Sequence, residues 1–400
     1  MRITFLVRNI WGIGGTIRTT LNTAEALADR GHQVTIASCV RTKERPDFAI
    51  DPRLEIVTLW DRRRPENGGE WPSPADRINR RLPSYLDADN VNNMDESSRL
   101  LDRRVKGYLR HVDTDVLVST HVSLNLYLAR WGRSDTAKVA QEHLFLDHYR
   151  PAVRDRIVGN YGRLDSIVTT TEADAEAYRR ALPEHAGKAE CIPNSIPPNP
   201  NPPSDLTEPV IMTAGRLTGM KGFDRLIEAF GRIADRFPEW KVRIYGRGRD
   251  RRKLQRIIAE HGLDSRVELM GAVTPLEAEW RRASIAAVPS RFEPFGLVIV
   301  EAMAAGLPVV CTGVKHGPRE IVDNEVNGLL VKPKNLNALA DALARLMGDP
   351  ELRHKLAEAG RYTARHFEPS AMVGRHERLF ECLLAADADV SASGELRAFR

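Results

Sequence analysis

The sequence predicts an α/β protein of two domains, each a parallel sheet flanked by helices, facing one another across a cleft. Three observations carry that reading. At 400 residues the chain is longer than one compact core usually grows, which favours two domains of roughly 150 to 200 residues. Short apolar runs alternate with amphipathic helical stretches almost throughout, the pattern of strand-helix-strand units. From Ile192 to Pro203 prolines are so dense that neither a helix interior nor a central strand fits, which leaves a stiff extended connector.

The first domain is expected over 1–198. Ile3 to Val7 reads as its first buried strand, and a helix follows from about Thr16 to Arg30, with Ile17, Leu21, Ala24 and Leu27 on one face and Gly31 as its stop. Val34 to Ala37 is the next strand. Val116 to Val118, Lys138 to Gln141 and Ser166 to Thr170 are later strands of the same sheet, each ending in small or polar residues at the cleft. Between about Asp61 and Asn93 the pattern dissolves into charged, Gly-, Pro- and Asn-rich sequence, which predicts a long loop or a short helical excursion and a candidate acceptor lid. The loop Trp11-Gly12-Ile13-Gly14-Gly15-Thr16 suits close approach to a phosphate or sugar. Its spacing is not G-x-G-x-x-G, and the second strand ends in Ile36-Ala37-Ser38 with no carboxylate for a ribose, so no redox dinucleotide is expected.

The second domain is expected over 205–368 and begins a second Rossmann-like sheet. A strand at Val210 to Ala214 leads into Gly215-Arg216-Leu217-Thr218-Gly219-Met220-Lys221-Gly222, then a helix carrying Phe223, Leu226, Ile227 and Phe230, then a strand Val242 to Tyr245. The Arg216 fork can hold phosphate oxygens in pairs and Lys221 adds a compact charge, so together they can stabilise a departing diphosphate; taken alone, such a pair reads more often as solvated surface. Tyr245-Gly246-Arg247-Gly248 is a strand-end turn before Leu254, and a lone G-x-G does not by itself specify a ligand. Ile285 to Val288 is a strand, Glu293 to Gly296 a loop, a helix starts near Gly296, and Val309-Val310 opens the next strand. That helix start exposes backbone N–H groups and a positive dipole end. Glu293 precedes it and Glu301 lies one to two turns inside, which for two isolated carboxylates reads as a cap and an exposed helix residue. A last helix, 369–386, is expected to return to the first domain, ahead of a tail at 387–400.

The run from Glu293 resembles the donor domain of the family 4 retaining glycosyltransferases, whose pattern is E-P-F-G-L-x-x-x-E-A-M-A-x-G-x-P-V, and Gly215 to Gly222 resembles the G-R-L-x-x-x-K-G motif of the same family. The resemblance implies two Rossmann-like domains of the GT-B type and a nucleoside diphosphate sugar, UDP-linked, as donor. It sets Glu293 beside the transferred sugar, Glu301 on the nucleotide ribose, the backbone of Phe295, Gly296 and Leu297 on the donor, and the turn with Gly246 and Gly248 near the nucleotide. It implies transfer of a hexose-type sugar to an acceptor hydroxyl by same-face attack, with the leaving diphosphate taking the proton. Gly14 and Gly15, with Arg18 following, correspond to the family's Gly-Gly pair at the cleft. His143, in Gln141-Glu142-His143, matches a histidine that contacts the transferred sugar, with His121 as its rival. His316 departs from the family's small-residue run before G-P-x-E, and so marks a place where donor choice differs.

Composition narrows the remaining classes. A hydrophobic fraction of 42% and a charged fraction of 28% are those of an ordinary globular protein. No apolar run approaches the roughly 18 to 20 residues of a spanning helix, and the start is too short for a signal-peptide core. Cys39, Cys191, Cys311 and Cys382 are scattered, which fits a reducing cytoplasm. A net charge of +5 from 59 basic and 54 acidic residues points to no nucleic-acid stripe. Arg62-Arg63-Arg64 and Arg103-Arg104 read as solvated surface, or as contacts to an anionic inner-membrane face or a polyanionic acceptor. Neither Asp87-Ala88-Asp89 nor Asp113-Thr114-Asp115 follows an apolar strand as a metal-binding D-x-D does, and His and Cys spacing gives no zinc site, so no metal and no cofactor beyond the donor are expected. A sugar-nucleotide epimerase and a non-catalytic nucleotide-sugar-binding protein stay as alternatives. Carbohydrate, polymer, lipid and small-metabolite acceptors are equally open.

Overall fold

Two parallel sheets organise the chain, and their central strands are the apolar runs of the sequence. The computed structural model describes residues 1–86 and 97–398, so the Asp87-Ala88-Asp89 triplet and the end of the expected lid lie outside the described residues. The chain divides into two units: Met1–Pro193 together with the chain from Met372 on, and Asn194–Ala371.

In the first unit the elements run β1 (Arg2–Val7), α1 (Gly15–Asp29), β2 (Gln33–Ser38), β3 (Glu55–Thr58), α2 (Pro74–Arg81), α3 (Arg99–His111), β4 (Val116–Ser119), α4 (Val122–Trp131), β5 (Ala137–Glu142), α5 (Pro151–Asn160), β6 (Ser166–Thr169), α6 (Glu172–Ala181) and β7 (Ala189–Cys191). The strands pair in parallel in the order β3-β2-β1-β4-β5-β6-β7. Helices cover both faces of such a sheet, so its central strands are apolar throughout: Ile3, Phe5 and Leu6 of β1 and Val116 and Val118 of β4 are all buried. The helical excursion expected after Asp61 is α2, started by a capping box in which the Ser73 side chain accepts from the Asp76 N–H and the Asp76 carboxylate accepts from the Ser73 N–H.

The second unit runs β8 (Val210–Ala214), α7 (Phe223–Gly231), β9 (Lys241–Tyr245), α8 (Arg251–Glu260), β10 (Val267–Gly271), α9 (Glu277–Trp280), β11 (Ile285–Val288), α10 (Leu297–Ala304), β12 (Val309–Thr312), α11 (Pro318–Ile321), β13 (Leu329–Val331), α12 (Leu336–Gly348) and α13 (Pro350–Arg365). Its parallel order is β10-β9-β8-β11-β12-β13. In each sheet the strand order reverses once, between β1 and β4 and between β8 and β11. Ligands of open α/β sheets bind outside the carboxyl ends of the strands at such reversals.

The last helix, α14 (Pro369–Ala398), belongs to the first unit from Met372 on. Val373 and Phe380 are buried in one cluster with Ile3, Phe5 and Leu21, and Glu377 accepts from His32 Nε2 at 2.9 Å and pairs with Arg30 at 3.0 Å. Two boundaries differ from the sequence reading. The helix does not stop at 386 but runs to Ala398, because the Ala-rich stretch beyond holds no proline. The proline-rich segment is not a free spacer; from Asn194 it goes with the second unit, where the Ile196 N–H donates to the Phe367 carbonyl at 2.9 Å and Ser204 Oγ donates to the Ala283 carbonyl at 2.6 Å.

Candidate functional site

In the second unit β8 and β11 lie side by side, with Ile211 opposite Ile285, so the loops that leave their carboxyl ends are neighbours. The first loop carries Arg216 and Lys221, the second Ser290, Arg291 and Glu293. Glu293 is buried, 5% exposed, and a buried carboxylate needs partners. It has them on one oxygen only: Lys221 Nζ donates to Oε2 at 2.6 Å and Ser290 Oγ donates to the same atom at 2.9 Å. Oε1 accepts no hydrogen bond among the described residues. Arg216 is exposed and makes no ion pair among them.

A second set of contacts, invisible to motif reading, fixes that geometry. Arg291 Nη1 donates to Asp224 Oδ1 at 2.6 Å and to the Gly219 carbonyl at 2.9 Å, and Lys253 Nζ donates to Asp224 Oδ2 at 3.0 Å. Burial opposes ionisation of Asp224, but the hydrogen bonds from Arg291 and Lys253 outweigh it and hold the carboxyl below its usual range. The turn bearing Lys221 is thereby pinned to the loop bearing Glu293. The only forewarning in the sequence is that Asp224 sits in the first turn of α7, where an acid suits the helix dipole. Gly246 and Gly248 work from beneath. A Cβ at Gly246, whose φ is +145°, would lie 1.8 Å from the Gly215 carbonyl oxygen, and one at Gly248 would lie 2.3 Å from that of Leu217. Both glycines let the turn after β9 pack against the backbone flanking Arg216, a supporting position the sequence alone did not distinguish from ligand contact.

Gly296, at φ +105°, caps α10 in the left-handed region. Its neighbours Phe295 and Leu297 bracket the helix start, whose first N–H groups lack intrahelical partners and point, with the dipole, toward any anion there. Phe295 is buried in edge-to-face contact with Phe367, ring centroids 5.7 Å apart. Glu301 is half-buried, one turn into the helix. His316 is buried, and a Cβ at Gly317 would meet the Phe295 carbonyl oxygen at 1.8 Å, so the departing loop packs directly on the Phe295 backbone.

In the first unit Gly14 caps α1 and Gly15 is its first residue. A Cβ at Gly14 would meet nothing within 4 Å, and the Arg18 guanidinium lies 5.4 Å from the Phe48 ring centroid. At the β1–β4 reversal the structure adds a residue the sequence reading did not single out, Arg8, whose Nη1 lies 3.3 Å from His121 Nε2. His121 is occupied locally: its Nδ1 accepts from the Ser123 N–H at 3.2 Å and so caps α4. Burial, then the charges of Arg8 and His143, lower its pKa to about 3. His143 follows β5, next in the sheet; burial lowers it to about 4, and its buried Nε2 has no hydrogen-bond partner among the described residues. Under it, Glu142 accepts from Asn125 Nδ2 at 2.8 Å, from Tyr149 OH at 2.7 Å and from Tyr161 OH, and burial raises its pKa against those donors.

Among the described residues no group of three His, Cys, Asp or Glu is placed to hold a metal. Asp113 and Asp115 are taken up by Arg2. No described helix is long and apolar enough to cross a membrane.

Two family models match the chain: one described as Glycosyltransferase Family 4 over residues 13–199 and one described as Glycosyl transferases group 1 over 199–363. An exopolysaccharide phosphotransferase of Streptomyces coelicolor is 33% identical over 97% of this chain, and the chain spans only 41% of that protein's length. A poly(glycerol-phosphate) alpha-glucosyltransferase of Bacillus subtilis is 30% identical over 49% of this chain and 29% of its own. Among solved structures, S. aureus TarM, crystallised with UDP, fondaparinux and alpha-GlcNAc-glycerol, superposes with a TM-score of 0.76 over 95% of this chain and 100% of that one at 16% identity. Anabaena HepE, crystallised with UDP and glucose, gives 0.73 over 95% and 99% at 19% identity.

Proposed function

The chain belongs to the family 4, group 1 glycosyltransferases, and on that premise we propose that it moves a hexose-type sugar from a UDP-sugar to an acceptor hydroxyl, with retention at the anomeric carbon and without a metal. The observation that carries this reading is the half-engaged Glu293: one oxygen fixed by Lys221 and Ser290, the other open, with Arg216 exposed and without an ion pair among the described residues on the loop that carries Lys221.

In this mechanism the diphosphate lies against the first turn of α10, with the backbone of Phe295, Gly296 and Leu297 and the charges of Arg216 and Lys221 around it. Glu301, deeper on α10, takes the ribose hydroxyls. Glu293 Oε1 accepts from a sugar hydroxyl and orients C1; the family resemblance gives His143, in the first unit, a catalytic part as well. The bond from C1 to the acceptor oxygen forms on the face from which the bond to the phosphate oxygen breaks; the electron pair of that bond leaves with the diphosphate, which takes the hydroxyl proton. Charge grows on the diphosphate as this happens, and fixed cations stabilise it more in the transition state than before. Their positive charge serves where other transferases use Mg2+. The UDP-bound state of TarM and HepE supports UDP as the nucleotide.

The test is calorimetry with a panel of nucleoside diphosphates, comparing wild type with Arg216→Ala and Glu301→Ala. Micromolar binding of UDP, lost in both variants and unaffected by EDTA, is expected. No nucleotide binding to folded wild-type protein would sink the reading, and an inverted anomeric signal in product NMR would remove its retaining part.

A further inference from the structure

On α3, Arg99, Arg103, Lys106 and Arg110 follow at spacings of four, three and four residues, which aligns them in one stripe. Like charges so spaced repel, and among the described residues none of the four has a carboxylate partner. Among the described residues the nearby acids are spent elsewhere: Glu70 and Asp76 on Arg104, at 2.9 and 3.7 Å, and Asp102 on Ser84 and the Tyr85 N–H, at 2.7 and 2.8 Å. Beside Lys106 the surface opens into a groove of about 420 Å3 lined by Tyr85, Leu86, Lys106, Arg130 and Trp131. Two aromatic plates floor it. Trp131 is stacked on Tyr127, centroids 5.0 Å apart, with the Lys106 ammonium 5.7 Å from its ring. Tyr85 is 66% exposed, with the Arg99 guanidinium 4.5 Å over one face.

This groove is not part of the candidate site. α4 begins at His121, on the carboxyl edge of the sheet, and Arg130 and Trp131 close its far end, roughly 15 Å along the axis. We infer that the groove and stripe bind a polyanionic saccharide chain, its sugar rings against Tyr85 and Trp131 and its phosphate or carboxylate groups on Arg130, Lys106, Arg103 and Arg110. The stripe is roughly 16 Å long, enough to meet several charges of one chain and too long for one small anion. A groove recessed between helices suits a chain better than the flat face of a membrane. The chain's role as acceptor rests on the transferase reading; its binding does not.

Calorimetry on the full chain tests this with phosphorylated dextran, oligogalacturonate and neutral dextran as probes, and with phosphatidylglycerol vesicles as the rival surface. Expected are binding of either polyanion but not of neutral dextran, a weakening of tenfold or more in the Lys106→Ala/Arg130→Ala double variant, a shallower salt dependence in the exposed Arg103→Ala/Arg110→Ala pair, and UDP affinity unchanged in both. Polyanion affinity equal in wild type and both variants overturns the inference, as does binding of vesicles but of neither polyanion. Loss of UDP binding in the wild type, with polyanion binding still sensitive to the variants, strikes only the transferase reading.

Discussion

Glu293 is held by two donors on one oxygen, and the division of labour between its two oxygens separates binding from turnover. Glu293→Gln keeps the shape and loses the charge that Lys221 answers, so turnover is expected to fall by about 100-fold or more while UDP affinity, set by Arg216 and α10, changes little; steady-state kinetics alongside calorimetry distinguishes the two. Comparable loss of both would mean that Glu293 serves the nucleotide. Gly246→Ala acts differently. Its Cβ would collide with the Gly215 carbonyl, so the expected effect is destabilisation by about 2 kcal/mol or more, read as a lower denaturant midpoint. Arg216, Lys221 and Glu293 were legible because each sits in a contiguous run, Gly215 to Gly222 or Glu293 to Val309, that resembles a family motif. Asp224, Ser290, Arg291 and Lys253 were not, because their function arises where two loops distant in sequence meet, and no periodicity records that meeting.

At the scale of elements, the two histidines after β4 and β5 divide between structure and chemistry. His121 supplies the cap of α4, so His121→Ala is expected to cost about 1 kcal/mol. His143→Ala removes a ring nitrogen without a partner among the described residues and is expected to lower turnover more than stability. Urea midpoints and initial rates on both variants check the pair, and the reverse ranking would exchange their roles. The same scale shows what the apolar pattern could and could not report. Strands buried on both faces, β1, β4, β8 and β11, stand out as continuous hydrophobic runs. β3, β7, β10 and β13 are the outer strands of the two sheets, partly exposed and of mixed composition, and carry too little pattern to be read; the two-sheet class follows from the central strands alone.

For the whole molecule, acid reaches stability through the buried histidines of the first unit. His121, His143 and His376 all belong to the first unit, and burial first, aided by Arg8 at His121 and Arg375 at His376, lowers them to about 3, 4 and 4. An unfolded histidine titrates near 6.5, so between about pH 6.5 and 4 the unfolded chain binds more protons, and stability is full above that window and lost on descending through it. Glu142 works in the opposite sense, since its raised carboxyl takes a proton in the folded state first. The histidine contribution is therefore best isolated by difference. His376→Phe, away from the candidate site and packed beside Phe380, is expected to flatten the fall in stability between pH 6.5 and 4.5 by at most about 1.4 kcal/mol per pH unit. Parallel wild-type and variant curves would show that His376 is not held neutral.

The core of the first unit takes Val373 and Phe380 from α14, while the second unit, Asn194–Ala371, is encoded ahead of both residues. On a ribosome, then, the later-translated unit has its full complement of residues before the earlier one does. The nascent first unit presents the apolar slot around Ile3, Phe5 and Leu21 until α14 emerges. A chain cut short between Ala371 and Val373 would carry a complete second unit beside an open hydrophobic slot, the kind of surface by which chaperones and proteases recognise an unfinished product.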